Sequence, residues 1–214
     1  WSSDVCSSDL LFADNLSRRD IVSIWSGVRP LVGQQGKSAK EVSRKDEVWT
    51  GPTGMLSIAG GKLSAYRAMA ERIVDTVVER LGIAARPCAT TDQPLPGGDR
   101  AACETAGLSA LDPVARERLM RLYGSEAEAL ASDGGDIAAE ARRAVLCEGA
   151  LRLEDYWVRR SGRAWFDDGA GMAALAPAAH EMAALLGWNE ATIKTEIEAC
   201  QAIDRDSKAS IQAV

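Results

Sequence analysis

Apolar residues at Leu63, Tyr66, Met69, Ala70, Ile73, Val74, Val77, Val78 and Leu81 recur at helical spacing, and Gly82 interrupts the run. The spacing predicts a helix from Leu63 that a left-handed glycine ends. Upstream, Ile21 to Val32 is β-branched and apolar but broken by Gly27 and Pro30, so it reads as a strand or extended run meeting a turn. Gly33 to Gly54 is polar and charged, a surface excursion with a short strand near Glu47 to Thr50, and Met55 to Ala59 forms a second compact strand. Pro87, Pro94, Pro96, Gly97 and Gly98 then break any regular pattern. Beyond them the pattern is helical almost throughout. Asp112-Pro113 supplies an N-cap and a first-turn proline, and Gly124 ends that helix. Further helices are expected over Ile137 to Leu151, Leu153 to Arg160, Ala173 to Leu186, and Glu190 to Ile203 after an Asn189 cap.

These elements predict an α+β chain: the truncated end of an α/β domain, short strands plus one long helix, followed by a small all-α domain. The expected divisions are 1–10 a leader, 11–84 the α/β remnant, 85–107 a linker, 108–204 the helical domain and 205–214 a tail. Trp1 to Leu10 (WSSDVCSSDL) has neither a basic nor an apolar region, so it is no signal peptide. It reads as translated sequencing adapter, a non-native leader joined to a frame whose natural start lies upstream.

Composition narrows the function. With 25 Lys plus Arg against 31 Asp plus Glu, the net charge of −6 argues against a nucleic-acid binder. No apolar run reaches membrane-spanning length. The cysteines (Cys6, Cys88, Cys103, Cys147, Cys200) form no Cys-x-x-Cys pair, and a lone His180 completes no zinc set, so no metal is expected. Dispersed thiols in a chain of 214 residues suggest a reducing, cytoplasmic compartment.

Two glycine motifs fail their chemistry. Gly61-Lys62-Leu63-Ser64 has Leu63 where a nucleotide loop needs a magnesium-binding hydroxyl, and Leu56 where it needs glycine. Gly169-Ala170-Gly171-Met172-Ala173-Ala174 matches the letters of a dinucleotide fingerprint, but no buried strand precedes it, and it reads as a turn before a helix. Gly60-Gly61-Lys62 supports another use. Two residues without Cβ let the backbone approach a flat cofactor, and the helix that follows presents free N–H groups and a partial positive charge. An ordinary strand–turn–helix corner with a solvated lysine fits the same letters. Arg29, in Gly27-Val28-Arg29-Pro30-Leu31, is either paired for structure or aimed at an anion that suits its planar fork. Arg44 sits in a charged loop where solvation is the simpler reading. Arg159, Arg160 and Arg163, near a helix end, read as structural pairing, and His180 as a surface or packing residue.

Ser26-Gly27-Val28-Arg29-Pro30-Leu31, Ser43-Arg44-Lys45-Asp46, and Gly60-Gly61-Lys62-Leu63-Ser64-Ala65-Tyr66-Arg67 occur in an order and spacing that resemble the FAD-dependent glycerol-3-phosphate dehydrogenases. Leu95-Pro96-Gly97-Gly98, Tyr123-Gly124, Leu153-Glu154-Asp155-Tyr156 with Arg159-Arg160, and Gly187-Trp188 continue the likeness to about Ile203. The resemblance implies hydride transfer from C2 of glycerol 3-phosphate to FAD, with electrons passed to a quinone or to oxygen. It also implies peripheral association of the full-length protein with the inner face of the cell membrane. By the same resemblance, Arg29, Arg44 and Lys62 would hold the substrate and Lys62 and Arg29 would act in catalysis. Gly60, Gly61, Lys62, Leu63 and Ser64 would line the flavin.

Ser64 and Ala65 depart mildly from relatives that have Thr or Gly there. No strand–Gly-x-Gly-x-x-Gly–helix precedes these motifs, so the polypeptide as given is expected neither to hold FAD firmly nor to turn over. A non-catalytic helical interaction module and an amine- or amino-acid-oxidising flavoenzyme are the alternatives.

Overall fold

A computed structural model describes residues 20–27, 32–33, 46–99 and 107–213. The chain divides into two compact units, residues 26–95 and residues 96–214, with residues up to Trp25 belonging to the second.

In the smaller unit β1 (Asp46–Thr50) and β2 (Leu56–Gly60) pair antiparallel, from Asp46 opposite Gly60 to Thr50 opposite Leu56. Gly51 closes the hairpin, its N–H donating to Met55 O at 2.7 Å. Both expected strands are present, each within a residue of its predicted ends. A 3₁₀ turn (Leu63–Ala65) leads into α1 (Tyr66–Leu81), which stops at Gly82 with φ 58°. Arg72 pairs with Asp46, and Arg80 donates to Thr50 Oγ1 at 2.7 Å, so the helix is tied across β1 by polar contacts. None of the buried core residues of the described chain lies in this unit, and Trp49, Ile58, Val74 and Leu81 are exposed. The helical stripe that the sequence shows is therefore real but unburied within the unit.

The segment from Ile21 departs from expectation. Residues 21–27 are irregular rather than a strand, and 28–31 lie outside the described residues. Ser207 Oγ takes the Ile24 N–H at 3.3 Å and donates to Ile24 O at 3.2 Å, so a side chain satisfies backbone groups that a strand would give to a neighbour. Most of the predicted polar excursion, 34–45, also lies outside the described residues.

The larger unit is helical. α2 (Pro113–Tyr123) starts where Asp112 accepts from the N–H groups of Val114 and Ala115, both at 3.0 Å. α3 (Ala127–Ser132), which the pattern did not single out, is followed by α4 (Ile137–Glu148). Gly149, with φ 68°, ends α4 short of the expected Leu151. Asp155–Arg160 is a widened π turn, and Ser161 N–H reaches back five residues to Tyr156 O at 2.8 Å. α5 (Arg163–Phe166), a 3₁₀ stretch, α6 (Leu175–Leu186) and α7 (Glu190–Ala213) complete it. Asn189 caps α7 as expected, through the Thr192 N–H at 2.9 Å, and the helix runs past Ile203 to Ala213. Among the described residues no helix is long and apolar enough to cross a membrane.

The main core joins Leu153, Tyr156, Trp157, Leu175, Met182 and Cys200 to buried alanines of α4 and α6. Ala141, Ala144, Ala178 and Ala179 are small enough to let those two helices close on each other. A satellite core holds Leu108, Leu119, Tyr123, Ala127 and Leu130.

Two sequence motifs prove to be one contact. Gly97 O accepts the Ser125 N–H at 3.1 Å, and a Cβ on either Gly97 or Gly124 would collide with the other segment's backbone. Gly124 also adopts φ 54°, ψ −124°, a region almost closed to other residues. Gly124→Ala should therefore destabilise the helical unit by about 2–3 kcal/mol, read as a lower urea midpoint at unchanged m-value. An unchanged midpoint would show that the two loops part without cost.

Candidate functional site

The corner after β2 is built by backbone geometry. Gly60 and Gly61 take φ 79° and 82°, which side chains other than glycine rarely adopt. At Gly61 a Cβ would also lie 2.7 Å from Met69 Cε and 3.3 Å from Asp46 Cβ, so the Met69 side chain would have to move aside. Two left-handed residues in succession turn the chain off the ladder at once. Lys62 returns to an extended conformation (φ −112°, ψ 139°) and precedes the first helical turn without a side-chain cap.

That turn is open to solvent. Lys62, Leu63 and Ser64 are exposed, Leu63 at 89%. N–H groups at a helix start lack intrahelical acceptors and carry partial positive charge, so an anionic or electron-rich edge placed there meets favourable dipoles. Gly60, Gly61, Lys62, Leu63 and Ser64 are thus brought together at one open corner. Arg29 and Arg44 lie outside the described residues, so the grip expected of the two guanidiniums has no geometry here. Arg67, quoted in the motif without a role, is structural: it donates to Thr90 O and, at 3.1 Å, to Gln93 O, holding the segment beyond α1 against its first turn.

Elsewhere polar groups serve the fold. Glu140, 2% exposed, accepts from Arg118 Nε at 3.1 Å and from Arg163 at 3.0 Å, while Asp167 accepts from the same two guanidiniums. Tyr156 hydroxyl donates to Glu140 at 3.3 Å and accepts from Arg163 Nε at 3.1 Å. Burial, then the Glu140 charge, pushes the Tyr156 hydroxyl well above its ordinary value and keeps it a donor. Arg159 pairs with Glu154 and Asp155, and Arg160 donates to Glu148 O at 2.9 Å, as the sequence reading expected of them. Burial opposes charge on Asp155, but the N–H groups of Leu151 and Arg152 and the guanidiniums of Arg159 and Arg160 outweigh it and hold its carboxyl low. The Leu-Glu-Asp-Tyr motif is accordingly a packing and capping signature. His180 is exposed, with Nδ1 2.7 Å from Ala176 O. Among the described residues no cluster of His, Cys, Asp and Glu could hold a metal ion.

Gly169, Ala170 and Gly171 form a left-handed turn, with φ from 57° to 59°, and Ala170 O accepts the Trp157 indole N–H at 2.8 Å. This is the turn before a helix that the fingerprint-like letters were read as, and it anchors a core tryptophan.

The thiols separate by environment. Burial, then the nearby Glu154 and Glu196 carboxylates, raises the Cys200 thiol from 9.0 to about 12. Cys88 and Cys147 are exposed. Iodoacetamide at mildly alkaline pH should modify Cys88 and Cys147 in the native chain and leave Cys200 intact until the chain is unfolded. Peptide mass spectrometry reads this, and native-state alkylation of Cys200 would contradict the packing of α7.

Residues 88–193 match the family model of the C-terminal domain of alpha-glycerophosphate oxidase. The aerobic glycerol-3-phosphate dehydrogenase of Bacillus subtilis (strain 168) is 38% identical, over 72% of this chain and 33% of the relative. That of Staphylococcus aureus (strain USA300) is 36% identical, over 72% and 32%. The solved structure of the glycerol-3-phosphate dehydrogenase from Bacillus halodurans complexed with FAD superposes with a TM-score of 0.68 at 26% identity, covering 90% of this chain and 41% of that one. The chain spans about a third of the length of the curated relatives it matches.

Proposed function

Since the chain belongs to the FAD-dependent glycerol-3-phosphate dehydrogenase family, matching its C-terminal region, we propose that it is part of a flavoprotein oxidising sn-glycerol 3-phosphate to dihydroxyacetone phosphate. The observation that carries this reading is the Gly60-Gly61-Lys62 corner: two glycines at positive φ, then a cation, then an open helix start, in a chain with these relatives.

Bound FAD would supply the acceptor for the hydride leaving C2 of the substrate, the electrons passing on to a quinone or to oxygen. The chain's own contribution is binding and orientation. Gly60 and Gly61 would let the backbone approach the flavin, and the first-turn N–H groups of Leu63 and Ser64 would offer it hydrogen-bond donors and partial positive charge. Lys62 supplies a positive charge beside substrate and cofactor. Arg29 and Arg44 hold the phosphate, and Arg29 also orients the reacting carbon.

The corner fits a flavin but offers only one exposed edge of a site. The 214-residue chain is therefore expected to purify without a flavin absorption band and without turnover. The protein from the complete reading frame is expected to be yellow and to couple glycerol 3-phosphate oxidation to quinone reduction. A colourless, inactive full-length protein would favour a non-catalytic helical interaction module. Oxidation of an amine or amino acid instead would reassign the substrate.

A further inference from the structure

Within the smaller unit, α1 carries three rows of side chains. Met69, Arg72 and Arg80 meet the hairpin: Arg72 pairs with Asp46, Arg80 donates to Thr50 Oγ1, and the Met69 side chain lies beside Gly61. Glu71, Asp75 and Glu79 form an exposed acidic row at four-residue spacing. The third row is apolar. Leu63, Tyr66, Ala70, Val74, Val77 and Leu81 recur every three or four residues and are all exposed, Val74 at 56% and Leu81 at 63%. An apolar row of this length on a helix is a packing face, since a solvated helix has no use for one. The hairpin is incompletely covered in the same way. Val48 and Ile58 stand opposite each other on the face that carries Asp46 and Thr50 toward α1, yet both are exposed. Two strands and one helix, with no buried core residue among those described, do not make a stable layer by themselves.

The relatives point to the occupant. Residues 88–193 match a C-terminal domain, and the chain covers 33% of the Bacillus subtilis relative, so in a protein of that length the larger part precedes the hairpin. We propose that the apolar row of α1 is the docking face for that preceding region of the same polypeptide, which would seat an apolar element along α1 and over Val48 and Ile58. An anionic lipid surface suits the helix poorly, because helices that lie on such surfaces carry Lys and Arg on the polar face, where α1 has its acidic row. The inference goes beyond the proposed activity: it holds whichever substrate the full-length protein oxidises.

The test compares the protein from the complete reading frame with the 214-residue chain. Val74→Cys should react with a maleimide at least about a hundredfold more slowly in the full-length protein, read at that site by peptide mass spectrometry. Asp75→Cys, on the acidic row, should react at rates within about threefold of each other in the two proteins. Hydrogen exchange in the unsubstituted proteins needs no variant to fold, and the α1 amides should exchange at least about tenfold more slowly in the full-length protein. Equal labelling of Val74→Cys in the two proteins, or equal α1 exchange, overturns the docking face. Equal protection of Val74→Cys and Asp75→Cys overturns it too, since that reports general burial. Protection already present in the 214-residue chain would mean that the chain covers its own row. Protection that fades on dilution as a dimer dissociates would assign the row to a second copy, and protection that needs anionic phosphatidylglycerol vesicles would assign it to lipid. Each of these three outcomes also overturns the proposal. None of the readouts uses turnover, so an inactive full-length protein with a shielded Val74→Cys overturns the functional reading alone.

Discussion

Replacing Glu140 by Gln is expected to lower the melting temperature of the helical unit by roughly 10–20 °C. The carboxylate is 2% exposed and accepts from Arg118 and Arg163 together, with the Tyr156 hydroxyl on its second oxygen. The two guanidiniums come from α2 and α5, and Asp167, 25% exposed, is the other carboxylate between them. Glutamine keeps the shape but removes the charge, so one carboxylate would face two cations in a largely dry site. Breaking a buried ion pair from one side typically costs about 3–5 kcal/mol, far more than the pair contributes over an apolar substitute. A charge-deleting partner change, Arg118→Met on the Glu140→Gln background, should recover part of the loss, because it relieves the leftover positive charge. Thermal unfolding followed by circular dichroism reads both. A Glu140→Gln protein melting within about 2 °C of the parent would mean that water or Asp167 already neutralises the cluster.

That carboxylate was not legible in the sequence. Glu140 sits in the first turn of α4, where an acid is favoured for local reasons, and the partners that bury it come from 22 and 23 residues away. Elements set by neighbours in sequence were legible: α1 from its spacing and Gly82, α2 from Asp112-Pro113, α7 from Asn189. α3 was not, because six residues following the Gly124 turn hold too little of a period to register. The Ile21 segment misled for the converse reason, since β-branched residues suit a strand but Trp165 and Ser207 offered other partners. At the site, Gly60 and Gly61 were readable because a positive φ leaves its mark in the residue type. What the apolar stripe of α1 packs against is not written in a local pattern at all.

The same limit gives the arginine substitutions their weight, since Arg29 and Arg44 rest on resemblance alone. In the full-length protein, Arg29→Met and Arg44→Met should each raise KM for glycerol 3-phosphate by roughly 10–100-fold, as a lost charge-assisted phosphate contact of about 1.5–3 kcal/mol requires. Lys62→Met should instead act mainly on kcat, lowering it about 100-fold, because a cation beside the reacting centre matters most where charge develops. Two guanidiniums on one phosphate share a ligand, so the double variant should depart from the sum of the singles by about 0.5–3 kcal/mol. The parent's preference for glycerol 3-phosphate over glycerol should shrink in each arginine variant and stay intact in Lys62→Met. Additive arginine effects with an unaltered preference would mean that the two side chains serve different ligands or none. The corner at Gly60 would then be a turn that any strand and helix need, and its lysine merely solvated.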